Sequence, residues 1–101
     1  MNVLEKFKRS AIIAHILYHA NKEPFYGSWL IKELERHGYN ISPGTLYPWL
    51  NQLLMDEILS QTKQNINGKI RKYYKITPKG IKLLIELKKY LLELYSEIFE
   101  G

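Results

Sequence analysis

The stretch LSQTKQNINGKIRKYYKITPKG, residues 59–80, sets the architecture of this chain. Leu59 to Gln64 and Ile70 to Ile76 have strand character, the second rich in β-branched and aromatic residues. Asn67-Gly68 between them is a strong hairpin-turn dipeptide. Thr77-Pro78 then opens a helix, because a threonine hydroxyl can cap free backbone N–H groups and proline is tolerated at the first helical position.

Upstream of the hairpin the apolar period becomes helical. Ser42-Pro43 starts a helix by the same cap-then-proline logic, reaching about Asp56 with Leu46, Leu50, Leu53 and Leu54 inward. Gly27 to His37 forms the helix before it, with Leu30, Ile31 and Leu34 on the core face and Gly38 as the C-terminal stop. Residues 3 to about 20 form a first helix with apolar residues on more than one face; its polar stripe is Lys8, His15, His19 and Lys22. Downstream, Thr77-Pro78 leads a helix to about Glu100, in which Leu84, Leu87, Leu91, Leu94 and Ile98 repeat at the 3-4-3-4 spacing of a coiled-coil seam.

The order helix, helix, tight turn, helix, hairpin, helix is the plan of a winged helix, in which the third helix enters the DNA major groove and the hairpin lies along the phosphates. The expected fold is mainly α, an α+β winged helix: a three-helix core with a helix-turn-helix, a two-stranded wing and a long C-terminal dimerisation helix. Residues 1–80 are expected to form the DNA-binding domain, the first helix being shared with the dimer interface, and residues 81–101 the dimerisation helix.

Charge agrees with that assignment. Residues 58–82 hold seven basic side chains (Lys63, Lys69, Arg71, Lys72, Lys75, Lys79, Lys82) and no Asp or Glu, whereas the other 76 residues hold eight basic and ten acidic ones. A basic hairpin without neighbouring carboxylates suits a polyanion. On the third helix, the face opposite the leucines carries Gly44, Thr45, Pro48, Asn51 and Gln52, with Tyr47 at its edge. Asn and Gln can pair bidentately with adenine, Thr offers a hydroxyl and a methyl, and Gly44 permits close backbone approach. Pro48 removes one backbone bond and is expected to kink this helix or aim Thr45 and Tyr47.

Tyr26-Gly27, Leu30-Ile31-Lys32-Glu33-Leu34, Ile41 to Pro48 and Arg71 to Gly80 together resemble the PadR-like transcriptional regulators of bacteria and archaea. The likeness spans roughly residues 24–80, and its most specific parts are Ser42-Pro43-Gly44-Thr45-Leu46-Tyr47-Pro48 and Arg71-Lys72-Tyr73-Tyr74. It implies a winged-helix homodimer, paired through its first and last helices, that binds a palindromic operator, usually represses, and is often released by a phenolic or hydrophobic small molecule. Carried over by position, DNA contacts fall on Ser42, Thr45, Tyr47, Lys69, Arg71 and Lys72. Asn51-Gln52 replaces a frequent basic pair, Glu57 stands where glycine is common, and Ile70 where proline is common, which implies a more mobile wing. The short final helix places the chain with the family's small subgroup.

At 101 residues, 46% hydrophobic, the chain is expected to form one domain and not a two-domain enzyme. No nucleophile–base pair, phosphate loop or metal cluster is evident, so neither enzymatic activity nor a cofactor is expected. His15 and His19 are four apart, a spacing metals use, but Lys8 and Lys22 repel a cation and Glu23 is the only carboxylate nearby in sequence, so no metal is expected. His37 is read as a helix-end residue facing the dipole. There is no cysteine, so stability must come from the core or a second copy, for which Leu4, Phe7, Leu84, Leu87, Leu91, Leu94 and Ile98 are the interface residues. No apolar run is long enough to span a membrane and the start is charged, which points to a cytoplasmic protein. Trp29 falls on the solvent side of the second helix as a candidate ligand or partner contact, and Trp49 at the core edge. The rival reading is a winged-helix protein-interaction module whose basic wing meets an acidic partner.

Overall fold

The computed structural model describes all 101 residues. The elements are α1 (Val3–Lys22), α2 (Gly27–Arg36), α3 (Pro43–Met55), β1 (Leu59–Ile66), β2 (Lys69–Ile76) and α4 (Pro78–Tyr95), extended by a π-helical turn over Ser96–Glu100. This is the expected α+β winged helix. No helix is long and apolar enough to cross a membrane.

Each helix contributes its apolar face to one core. Ile12, Ile16, Leu17 and Ala20 come from α1, Leu30 and Leu34 from α2, and Leu46 and Leu50 from α3. Leu59, Tyr74 and Ile76 close it from the hairpin, Leu84 from α4 and Phe25 from the α1–α2 connection. Leu84, expected on the intersubunit seam, is therefore used inside the chain's own core. Trp49 packs at its edge. Phe25 also adds a rung to the sheet: its N–H donates to the Tyr74 carbonyl at 3.1 Å and its carbonyl accepts from the Tyr74 N–H at 2.8 Å. That pair pins the base of the hairpin to the helical body.

The strands run antiparallel from Leu59↔Ile76 to Ile66↔Lys69. They reach the turn itself, further than the sequence pattern indicates, because Asn67 (φ 51°) and Gly68 (φ 85°) both adopt the left-handed conformation of a two-residue hairpin loop. The Gly68 N–H donates to Asn65 Oδ1 at 2.9 Å and closes the loop.

The cap logic holds at one helix and fails at the other. Thr77 Oγ1 accepts from the Gly80 N–H at 3.0 Å and lies 3.0 Å from the Ile58 carbonyl, tying α4 to the start of β1. Ser42 makes no such cap. Its hydroxyl pairs with Thr45 Oγ1 at 3.2 Å, and the helix is started by the Ser42 carbonyl accepting from the Leu46 N–H at 2.9 Å. Helix α3 continues through Pro48. Glu57 takes φ 60°, a left-handed conformation that costs a residue with Cβ about 1 kcal/mol or more and explains why glycine suits this place.

Two expectations about α1 and α4 change. Within the polar stripe of α1, His19 is buried at 8% exposure and His15 is half-buried, while Lys8 and Lys22 stay exposed. The end of α4 widens into the π-helical turn where a regular helix was expected. The chain measures 55 × 28 × 23 Å with a radius of gyration of 14.8 Å, against about 13 Å for a compact chain of this length. Leu4, Phe7, Leu91, Leu94 and Ile98, at 40 to 63% exposure, all lie on the surface.

Candidate nucleic-acid interface

The start of α2, Tyr47 of α3 and the turn-proximal half of the wing meet in one cleft. Its volume is about 420 Å³, and Tyr26, Ser28, Tyr47, Lys69, Arg71 and Lys72 are among its lining residues. Gly27 leaves room for Tyr47: a Cβ on Gly27 would sit 2.6 Å from Tyr47 Cζ, so the ring can lie against the start of α2 only with glycine at that point. Ser42, Thr45 and Tyr47 are exposed, as is Asn51. Gly44 has no internal packing reason, since a Cβ there would meet only Ser42 Oγ at 3.8 Å. Glycine inside a helix costs roughly 1 kcal/mol relative to alanine, so open space at this position suits an outside group approaching the backbone.

Gln52 departs from its expected role. Its amide donates to Asp56 Oδ1 at 3.1 Å, and its side chain borders a small apolar hollow with Ile13, Trp49 and Leu53. Asn51 has no such partner among the side-chain hydrogen bonds and is the freer of the two amides.

In the wing, alternation divides the cations between the two faces. Lys69, Arg71 and Lys75 share one face, whereas Lys72 lies opposite Lys63 on the other. Arg71 is not a free arm: its guanidinium sits 4.0 Å from the centre of the Tyr26 ring, and Tyr73 meets the same ring edge-on at 5.7 Å. Cation–π contact fixes where that charge points. The ion pairs of the chain all converge on Glu33, from His19, Arg36 and His37, so no carboxylate neutralises the wing. Sequence reasoning missed Tyr26 as a platform and Lys63 as a partner of Lys72. The second was legible in principle, because a two-residue turn at Asn67-Gly68 dictates that register.

Trp29 is not a free-standing surface side chain. It keeps 38% exposure, but its ring lies 6.3 Å from Phe25 and meets His19 edge-on at 5.4 Å. One helical turn earlier on the same face of α1, the His15 ring lies 4.8 Å from that of His37, which α2 brings in at its C-cap. Burial is the main cause that pushes the His15 and His19 imidazoles below their ordinary pKa; neighbouring histidines add to it and Glu33 opposes it.

A helix-turn-helix flanked by an unneutralised basic hairpin defines a winged-helix protein built for DNA. The profile of the transcriptional regulator PadR-like family matches residues 16–86, and the chain belongs to that family. It is 42% identical over 98 residues, 97% of this chain and 92% of the relative, to transcriptional regulator Rv3488 of Mycobacterium tuberculosis. Among solved structures it is similar to a PadR-like transcription factor of Bacteroides fragilis (34% identity, TM-score 0.82, 97% and 96% of the two chains). It is also similar to a PadR family regulator of Eggerthella lenta (30% identity, TM-score 0.85, 96% and 86%). The protein is thus a transcriptional regulator, a class that acts on DNA and not by catalysis.

Proposed function

We propose that the protein works as a homodimeric repressor that reads an inverted-repeat operator. The observation that carries this reading is the apolar surface of α1 and the outer part of α4, where Leu4, Phe7, Leu91, Leu94 and Ile98 are uncovered. A single domain rarely leaves so continuous an apolar face in water, and a second copy laid across it would bury both faces. In this reading residues 1–80 bind DNA and residues 81–101, with Leu4 and Phe7 of α1 and the partly buried Leu87, hold the dimer. The two copies of α3 enter successive major grooves about 34 Å apart.

Ser42, Thr45, Tyr47 and Asn51 are the candidates for the groove, with Gln52 a weaker one because Asp56 holds its amide. Lys69, Arg71 and Lys72 meet phosphates, and Lys63 joins them. Like charges directly opposed across two strands cost stability, so the Lys63–Lys72 pair is best understood as kept for an anion that is not part of the chain. Lys72→Ala is expected to weaken binding to all DNA by a similar factor and to lower the slope of log affinity against log salt by about one. Asn51→Ala should instead reduce the preference for operator over random DNA, with a loss of about 1–3 kcal/mol confined to the operator. Titrating both variants on operator and scrambled duplexes over a salt series separates these; a uniform loss in each would remove Asn51 as a base reader.

Gly27→Ala tests the seat of Tyr47. The added methyl forces Tyr47 out of the cleft, for a stability cost of about 1–3 kcal/mol typical of overpacking and a loss of operator affinity beyond that of a Tyr47→Phe control. Unchanged operator affinity in folded Gly27→Ala protein would mean that Tyr47 takes no part in binding.

An apolar hollow of about 400 Å³ between α1 and α4, lined by Ala11, Ala14, Leu84, Leu87 and Leu91, is the natural place for a small hydrophobic or phenolic effector that releases DNA. The whole reading is tested by mixing the protein with sheared genomic DNA of its source at about 0.15 M salt and sequencing the bound fragments. Enrichment of one inverted repeat near promoters is expected. Dimers that enrich no sequence would favour the protein-docking alternative.

A further inference from the structure

We propose that His15, His19 and His37 form a binding site for one divalent transition-metal ion of the zinc class per chain. The three imidazoles come from two elements. His15 and His19 lie one helical turn apart on α1, and His37 is delivered by the C-cap of α2, so that one ring nitrogen from each lies within 4.8 Å of the others. The positive φ of Gly38 turns the chain there and leads Tyr39 back against His15, ring centres 5.3 Å apart.

A second, independent observation points the same way. His19 is 8% exposed, yet its Nε2 has no hydrogen-bond partner. Buried polar nitrogens are nearly always satisfied, and one left open beside two further imidazoles suits an ion that would take its lone pair. Glu33 supplies the charge such an ion needs. Its carboxylate is largely buried, with Oε2 at 3.3 Å from His37 Nε2 and 3.8 Å from His19 Nε2, while Arg36 holds Oε1 at 2.8 Å. A carboxylate that orients metal-bound histidines, or completes their coordination, is the usual companion of such sites.

The opposing charges are Lys22, Lys88 and Arg36. The Lys22 ammonium lies over the Tyr18 ring, 5.4 Å from its centre. Arg36 is directed at Glu33 and is 73% exposed, and Lys88 borders the hollow beside His15 from the exposed side of α4. Exposed cations of this kind are screened by salt. Neutral imidazoles favour zinc, cobalt, nickel and copper over magnesium or calcium. Zinc–nitrogen bonds of about 2.0–2.1 Å require the rings to close in, a movement that falls to His37, whose side chain is 42% exposed. An ion held there would tie α1, which packs on α4, to the helix whose other end seats Tyr47.

The test uses the full chain without DNA, so that its outcome is independent of the operator reading. Zinc is titrated against a chromophoric chelator, and cobalt is followed by its ligand-field absorption and by quenching of Trp29, whose ring lies 5.4 Å from that of His19. One ion per chain is expected, with cobalt bands of a low-coordinate, imidazole-bound site. His37→Gln and His15→Gln, each confirmed as folded by circular dichroism, should lower affinity at least about a hundredfold, since removal of second-layer partners alone costs 10–100-fold. Glu23→Gln, outside the cluster, should leave it unchanged. Absence of stoichiometric binding, or equal affinity in the two histidine variants and the parent, would overturn the proposal.

Discussion

Replacing Leu91 with lysine is expected to convert the protein to monomers and to lower operator affinity by at least about a hundredfold. Leu91 keeps 49% exposure in the single chain, so the charge is solvated when the protein is monomeric and the fold should survive. In the dimer the same ammonium would lie on the apolar α1–α4 face, beside Leu84 and Leu87. An unpaired charge there costs several kcal/mol, enough to oppose association outright. The consequence for DNA follows from the arithmetic of two half-sites. A dimer with a typical operator Kd of about 10⁻⁸ M spreads that free energy over two heads, and one head alone retains a Kd nearer 10⁻⁴ M. Sedimentation velocity and operator titration on the same preparation check both parts. A Leu91→Lys protein that still sediments as a dimer would exclude this face as the interface.

Tyr74→Ala should be the most destabilising truncation in the wing. Tyr74 is 1% exposed, its backbone pairs with Phe25 in both directions, and its ring stacks 5.9 Å from the Phe25 ring. Burial raises its phenol pKa, and Gln61 is its cross-strand partner in the hairpin. Removing such a ring typically costs about 3–5 kcal/mol, a large share of the stability of a small domain. Thermal melting at fixed protein concentration should fall by roughly 15 °C or more, since each kcal/mol moves a domain of this size by about 4–8 °C. Tyr74→Phe, which keeps the ring and loses only the hydroxyl, should cost about 1 kcal/mol. Similar melting of Tyr74→Ala and Tyr74→Phe would show that the ring is not what anchors the wing.

Signals that act within one element were legible from the chain alone. The Asn67-Gly68 turn, the Thr77-Pro78 helix start and the leucine periods of α2 and α3 specified the element order, because turn chemistry and helical period depend on neighbours in sequence. Ser42 shows the limit of even a local signal. The same cap pattern that works at Thr77 gives way at Ser42, where a nearby threonine hydroxyl competes for the serine. The helix face and the family resemblance together nominated candidate DNA contacts, but not which of them are free: Gln52 is engaged by Asp56, and Arg71 rests on Tyr26.

The sequence by itself determined the winged helix, the basic character of the wing and the apolar seam of the last helix, since each is written in short-range pattern or composition. Tertiary structure alone decided that Leu84 serves the core, that Trp29 packs on Phe25 and His19, and that Glu33 and His37 join the histidines of α1. Those meetings bring together residues from separate elements, and they depend on the angle and offset at which two helices pack, which no spacing along the chain encodes.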